Sequence, residues 1–159
     1  MANVKTNAVR LLDLKKVDYI LHEYDAPDGF LDGVAVAKAT GIDPERVFKT
    51  LVTQGASREF YVCVIPVARE LDLKKAAKHF GEKKLEMIPA KDITKVTGYI
   101  KGGCSPVGMK KQFKTAIDEN AQKFERIVVS AGKVGLQMEL PLADLAEATS
   151  AAITDLITE

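Results

Sequence analysis

The segment Gly98-Tyr99-Ile100-Lys101-Gly102-Gly103-Cys104-Ser105-Pro106-Val107-Gly108-Met109-Lys110-Lys111 constrains the fold more than any other, because it holds four of the chain's eleven glycines. Glycine admits positive φ and lets a backbone approach its neighbours closely. Pro106 fixes its own φ and removes a donor, so the segment reads as a shaped loop between elements. Such a loop turns main-chain N–H and C=O groups outward, as phosphate- and carboxylate-binding nests do. An ordinary turn between two strands has the same composition. Gly103 and Gly108 match the outer spacing of the phosphate-binding P-loop, but Met109-Lys110 stand where that pattern needs Lys and then Ser or Thr. Residues 112–117 alternate as a strand does, where a P-loop leads into a helix. The P-loop reading fails.

The rest of the chain is punctuated at short intervals. Thr6 predicts a capped helix over residues 7–16, and residues 19–24 read as a strand. A loop with Phe30 at its tip follows. Asp32 then caps a short helix over 33–40 that Gly41 ends, and Asp43-Pro44 restarts a turn. Residues 47–53 form a strand whose alternation sets Lys49 beside Val47 and Leu51. Lysine is rarely buried without a partner. Lys49 therefore either guards a sheet edge or is itself a cation held at the rim of a pocket. Residues 59–66 read as a central strand in which Cys63 acts as a small hydrophobe. Asp72 caps a helix that Gly81 stops, residues 84–88 make a short strand, and a helix from Pro89 or Ala90 runs to about Val96 with Gly98 as terminator. Beyond the glycine loop come strands at 112–118 and 126–130, with a helical turn at 119–124 between them. A second small-residue turn, 130–135, leads to a strand at 136–140. A helix from Pro141 to about Ala148 has Leu142 and Leu145 inward, and 151–157 closes as a strand or extended tail. The pattern predicts an α/β (α+β) fold: a mixed, largely antiparallel sheet, curling toward a barrel, with peripheral helices.

At 159 residues the chain suits one domain, 1–159, with a real core. Its 23 basic and 22 acidic residues nearly cancel, so no global field advertises a polyanionic partner and any nucleic-acid contact is local or shared. Two scattered cysteines and an N-terminus without an apolar core point to a reducing cytoplasm, and no run is long enough to span a membrane.

Several chemistries lack their residues. There is no H-E-x-x-H, no paired C-x-x-C and no G-x-S-x-G, and two histidines and two cysteines make metal catalysis a poor fit. No cofactor is expected. His22 reads as a hydrogen-bonded structural residue, and His79 as a basic group at a helix end. Cys104 sits in the right loop for a nucleophile, yet nothing near it in sequence supplies a base or lowers its pKa. One lysine, backbone amides and hydroxyls remain, an inventory for positioning and oxyanion stabilisation.

Three segments, Phe48-Lys49-Thr50-Leu51, Gly98-Tyr99-Ile100-Lys101-Gly102-Gly103-Cys104-Ser105-Pro106-Val107-Gly108 and Ser130-Ala131-Gly132-Lys133-Val134-Gly135-Leu136, occur in the order seen in the YbaK family, which the chain resembles from Leu11 to about Leu156. Leu71-Asp72-Leu73-Lys74-Lys75-Ala76-Ala77 adds support. The family is similar to the editing domain inserted in bacterial prolyl-tRNA synthetases, and the long glycine motif looks closest to its cysteinyl-tRNA deacylases. The resemblance implies a barrel-like mixed sheet. It also implies a trans-editing deacylase that removes Cys from mischarged tRNA(Pro), with Cys-tRNA(Cys) as a further substrate. The implied enzyme works as a monomer in a complex with prolyl-tRNA synthetase. Proline and cysteine are of similar size, and a pocket separates such side chains by only ~1–3 kcal/mol, so a second sieve is needed.

By the same resemblance Lys49 holds the phosphate or sugar of the terminal adenosine and positions the ester, with Thr50 in support. Gly102 and Gly103 are the pair whose backbone faces the scissile ester. Ser105 and Pro106 shape that wall, Tyr24 and Phe30 line the aminoacyl or adenosine pocket, and Ser130 and Gly132 form the facing turn. The implied mechanism is attack of the substrate's own thiol on its ester, with water directed by backbone groups as the alternative. Deacylation of Ala-tRNA(Pro), or binding of aminoacyl-tRNA or the synthetase without catalysis, are competing functions.

Overall fold

The structure is a computed structural model that describes residues 5–26 and 32–158. Among the described residues five α-helices, α1 (Asn7–Leu14), α2 (Gly33–Thr40), α3 (Leu73–Phe80), α4 (Ile93–Thr97) and α5 (Leu142–Thr149), accompany eight strands. The strands are β1 (Ile20–Glu23), β2 (Phe48–Gly55), β3 (Phe60–Pro66), β4 (Leu85–Met87), β5 (Lys114–Asp118), β6 (Arg126–Lys133), β7 (Leu136–Pro141) and β8 (Ala152–Thr154). They form a three-stranded sheet in the order β1-β7-β6, and a five-stranded one in the order β4-β2-β3-β5-β8. The small sheet is antiparallel, as are β2–β3 and β2–β4, whereas β3–β5 and β5–β8 are parallel. The mixed, largely antiparallel character predicted from sequence is present. The two sheets meet at one parallel bridge between Val47 and Val128, and no closed barrel is found among the described residues.

Local chemistry accounts for most helix boundaries. The Asp32 and Asp72 carboxylates accept N–H bonds from Ala35 and from Lys74 and Lys75, satisfying donors that the first turns leave open. Gly41 and Gly81 close the same helices in the left-handed conformation. The first helix stops at Leu14, two residues short of the sequence expectation, and Lys16 follows at φ 57°. Residues 130–133, expected as a turn, continue β6 through a register shift between Ser130 and Lys133. A β-bulge there re-aims side chains while the strand persists.

The main core lies between the sheets and helices α1 and α5, with Leu12, Phe48, Ile117, Ile127, Met138, Leu140 and Leu145 among its buried members. A second cluster under α3 holds Cys63, whose burial pushes the thiol up to about 12, as suits a small core hydrophobe. A third, of Ala37, Val47, Val67 and Val128, packs α2 over the junction of the sheets. That junction positions the site.

Candidate active site

Two small-residue segments pack into a single wall. Tyr99 is buried and pins the glycine loop by donating its hydroxyl to the Val107 carbonyl at 2.6 Å. Gly132, at φ 106°, lies against the Tyr99 ring, where a Cβ would come within 2.9 Å of a ring carbon. Gly103 meets the bulge from the other side: a Cβ there would stand 2.8 Å from the Lys133 and Val134 backbone. The Thr6 hydroxyl accepts from Val9 and donates to the Ala131 carbonyl, tying α1 to the same knot. Ser105 and Pro106 are buried within the loop, and the Ser105 hydroxyl accepts the Val107 N–H. The close contacts at Gly103 and Gly132 require residues without a Cβ. Gly103, Gly132, Ser105 and Pro106 thus build the wall from behind and do not line the cleft.

The cleft itself arises because β4 is short. It pairs with β2 only at Thr53, Gln54 and Gly55, and Ile88 adds one N–H bond to the Val52 carbonyl. Chain direction then changes at Pro89, so the β2 edge at Lys49, Thr50 and Leu51 has no β4 partner. Lys49 is therefore on a strand that is interior in the sheet yet open where the lysine stands. The result is a cleft of about 870 Å³, within the range of small-molecule sites. Lys49 and Thr50 line it together with Tyr24, Gly102, Ser130 and Gln137. Of the glycine pair, Gly103 gives its N–H to the Ile100 carbonyl at 3.0 Å, while Gly102 borders the cleft. Phe30 lies outside the described residues. A smaller depression of about 400 Å³ between residues 54–56 and Lys84–Pro89 holds none of the candidate residues.

Two polar atoms give the cleft its directionality. Thr50 Oγ1 and Gln137 Oε1 are buried and have no hydrogen-bond partner among the described residues. Gln137 is only 6% exposed, so its orphaned carbonyl oxygen is costly unless a ligand satisfies it. Sequence reasoning missed Gln137. The alternation Leu136-Gln137-Met138-Glu139-Leu140 is plain in the sequence, but the burial of all five residues comes from the fold. Glu139, on the same face as Gln137, receives His22 Nε2 at 2.9 Å and lies 3.4 Å from the Arg46 guanidinium. Burial works to raise its carboxyl, but these two partners outweigh burial and hold it below its ordinary range. His22 is thus the hydrogen-bonded structural residue expected. Cys104 reaches the cleft, yet burial pushes its thiol up to about 11, despite a hydrogen bond to Thr97 that pulls it down. A thiol that stays protonated at neutral pH is a poor nucleophile. No group of three or more metal-ligating side chains occurs among the described residues.

The model of the aminoacyl-tRNA editing domain matches residues 32–148. The chain belongs to that family. A protein of Enterococcus faecalis (strain ATCC 700802 / V583) named "Putative Cys-tRNA(Pro)/Cys-tRNA(Cys) deacylase EbsC" is 46% identical over 155 residues, or 98% of this chain and 94% of that one. Among solved structures, "a putative trans-editing enzyme for prolyl tRNA synthetase" superposes with a TM-score of 0.82 at 22% identity, covering 99% of this chain and 100% of that one. The "hypothetical protein APE2540" gives 0.86 at 20% identity, covering 96% and 100%. At these identities the structural likeness speaks for the fold alone.

The family resemblance carried by the Lys49, Gly102 and Ser130 segments is thereby shown, since all three fall inside the matched residues. Tyr24 and Phe30 precede residue 32 and stand outside it. The cleft thus brings the lysines Lys38, Lys49 and Lys101 together with the backbone at Gly102 and the polar residues Thr50 and Gln137. Such a site can orient an ester and stabilise charge on its carbonyl oxygen.

Proposed function

We propose that the cleft is the active site of a trans-editing deacylase that clears Cys-tRNA(Pro), with Cys-tRNA(Cys) as a second substrate. The observation that carries this is convergence: Lys49, Thr50, Gly102 and Gln137, supplied by β2, the glycine loop and β7, line one cleft. Lys49 holds the terminal adenosine phosphate and sets the ester against the wall, where the Gly102 backbone faces the developing oxyanion. Thr50, Tyr24 and Ser130 complete the adenosine and aminoacyl surroundings, and Gln137 Oε1 accepts a hydrogen bond from the substrate's α-amino group. The substrate thiol then attacks its own carbonyl carbon. The carbon–oxygen bond to the ribose breaks, the thiol proton passes to the ribose oxygen, and a thiolactone leaves. Lys49 and the backbone wall supply charge and geometry for this step, and the Cys104 thiol takes no part. The whole chain acts as one unit, a cytoplasmic monomer that joins prolyl-tRNA synthetase on the tRNA.

A substrate panel tests this reading. The protein is incubated with Cys-tRNA(Pro), Cys-tRNA(Cys), Ala-tRNA(Pro) and Ser-tRNA(Pro), in which a hydroxyl replaces the thiol. Pocket selection alone discriminates by roughly 10–200-fold, so a Cys over Ser ratio well above that range is the expected result. Equal rates on Cys and Ser esters would remove the thiol step, faster loss of Ala would reassign the specificity, and tight binding with no hydrolysis would make this a non-catalytic module.

The Gln137 role has its own readout. Gln137→Leu is expected to raise KM for Cys-tRNA(Pro) about tenfold or more, as loss of a hydrogen bond to a charged group worth ~1.5–3 kcal/mol does. N-acetyl-Cys-tRNA(Pro), whose nitrogen carries no charge, is expected to be handled equally by variant and wild type. A matching KM rise on both esters would show a packing role instead.

A further inference from the structure

The near-zero net charge hides an uneven distribution. Residues 91–114 carry six lysines, Lys91, Lys95, Lys101, Lys110, Lys111 and Lys114, against the single acid Asp92. With 23 basic and 22 acidic residues in all, the remainder of the chain is net acidic. All six lysines are exposed. The fold draws Lys91, Lys95, Lys101 and Lys110 toward the mouth of the cleft. Lys110 lays its side chain over Gly98, and its ammonium donates to the Lys95 carbonyl at 3.3 Å, so the α4 and loop lysines are neighbours. Lys101 borders the cleft, as does Ala90 beside Lys91. The ion pairs among the described residues involve none of Lys91, Lys95 and Lys111.

We propose that this α4–glycine-loop surface docks the phosphodiester backbone of the tRNA acceptor arm, leading its 3′ end into the cleft beside Lys101. The proposal rests on the deacylase reading for the identity of the polyanion, and it adds the direction from which the substrate arrives. A basic face on an otherwise acidic molecule acts as an electrostatic dipole: it orients an incoming polyanion while the net charge stays close to zero. The competing basic element is α3, with Lys74, Lys75 and Lys78. Lys75 is bound to Asp155 at 2.8 Å, and no α3 residue borders the cleft. Phosphates held there would not be continuous with the ester site.

The test compares the triple variant Lys91→Gln/Lys95→Gln/Lys111→Gln with an α3 control, Lys74→Gln/Lys78→Gln plus Lys83→Gln just beyond the helix, without synthetase present. Binding of uncharged tRNA(Pro) is measured across a salt series, and deacylation is measured on Cys-tRNA(Pro) and on a cysteinyl ester of adenosine. Each lost phosphate contact is expected to lower the slope of log K against log salt by about 0.7–0.9, so the first triple loses roughly two units and binds about tenfold or more weakly. Its rate on the adenosine ester is expected to be unchanged, and the α3 control unchanged throughout. The single charge reversals Lys95→Glu and Lys111→Glu repeat the test one site at a time. An unaltered salt slope, or an equal loss in the α3 control, would overturn the proposal. Failure of the deacylase reading reads differently: wild type would leave both esters untouched, while the tRNA-binding arm still reports on the surface.

Discussion

Lys49→Ala is expected to lower kcat/KM on Cys-tRNA(Pro) by about 10²–10³-fold, the usual effect of deleting one preorganised electrostatic contact. The fold should hardly register the change. Lys49 is half-buried at an open strand edge and belongs to none of the core clusters, whereas the preceding Val47 and Phe48 are buried members of them. A Tm shift of about 1–2 °C is the corresponding expectation, since substitutions away from packed cores stay near ±0.5 kcal/mol. Turnover and thermal unfolding of the same preparation check both halves. A variant that keeps wild-type turnover would separate Lys49 from the chemistry, and one that unfolds would make it structural. Lys49→Arg sharpens the result: a guanidinium keeps the charge but changes its shape and reach, so partial recovery marks a charge role and none marks a positional one.

The second large effect concerns the wall. In Gly103→Ala the new Cβ would stand 2.8 Å from backbone atoms of Lys133 and Val134, a contact no flexible side chain can relieve. Overpacking of this kind costs ~1–3 kcal/mol, which for a domain of this size lowers Tm by roughly 2–10 °C. Because Gly102 borders the cleft and is joined directly to Gly103, the shift that relieves the clash moves the backbone facing the ester. Turnover should fall with stability, and kcat should fall more than affinity for uncharged tRNA. Thermal unfolding together with single-turnover deacylation measures both. An alanine variant with unchanged Tm would mean that the two loops are not packed as described.

The two predictions separate the roles that the sequence grouped together. Lys49 and Gly102 face the cleft, whereas Gly103, Gly132, Ser105 and Pro106 hold the wall in place. Tyr99 joins the two glycine segments, which is why both are rich in small residues. A glycine-dense loop suggested ligand contact. Much of its glycine content instead serves contact between one stretch of backbone and another.

What could be read from the chain alone was whatever is decided within a few residues. The caps at Thr6, Asp32 and Asp72 and the stops at Gly41 and Gly81 were legible because a cap is a bond between near neighbours in sequence. The family was legible through three short segments, and the lysine on β2 stood out against its apolar neighbours. The cleft was not legible, because it exists only where β4 ends early beside β2. Gln137 gained its position from pairing: β1 and β6 flank β7 and turn alternate residues onto the cleft face, so an unremarkable glutamine becomes a buried acceptor without a partner. Local free energy is set by sequence neighbours. The site is set by strands that meet only after the chain has folded.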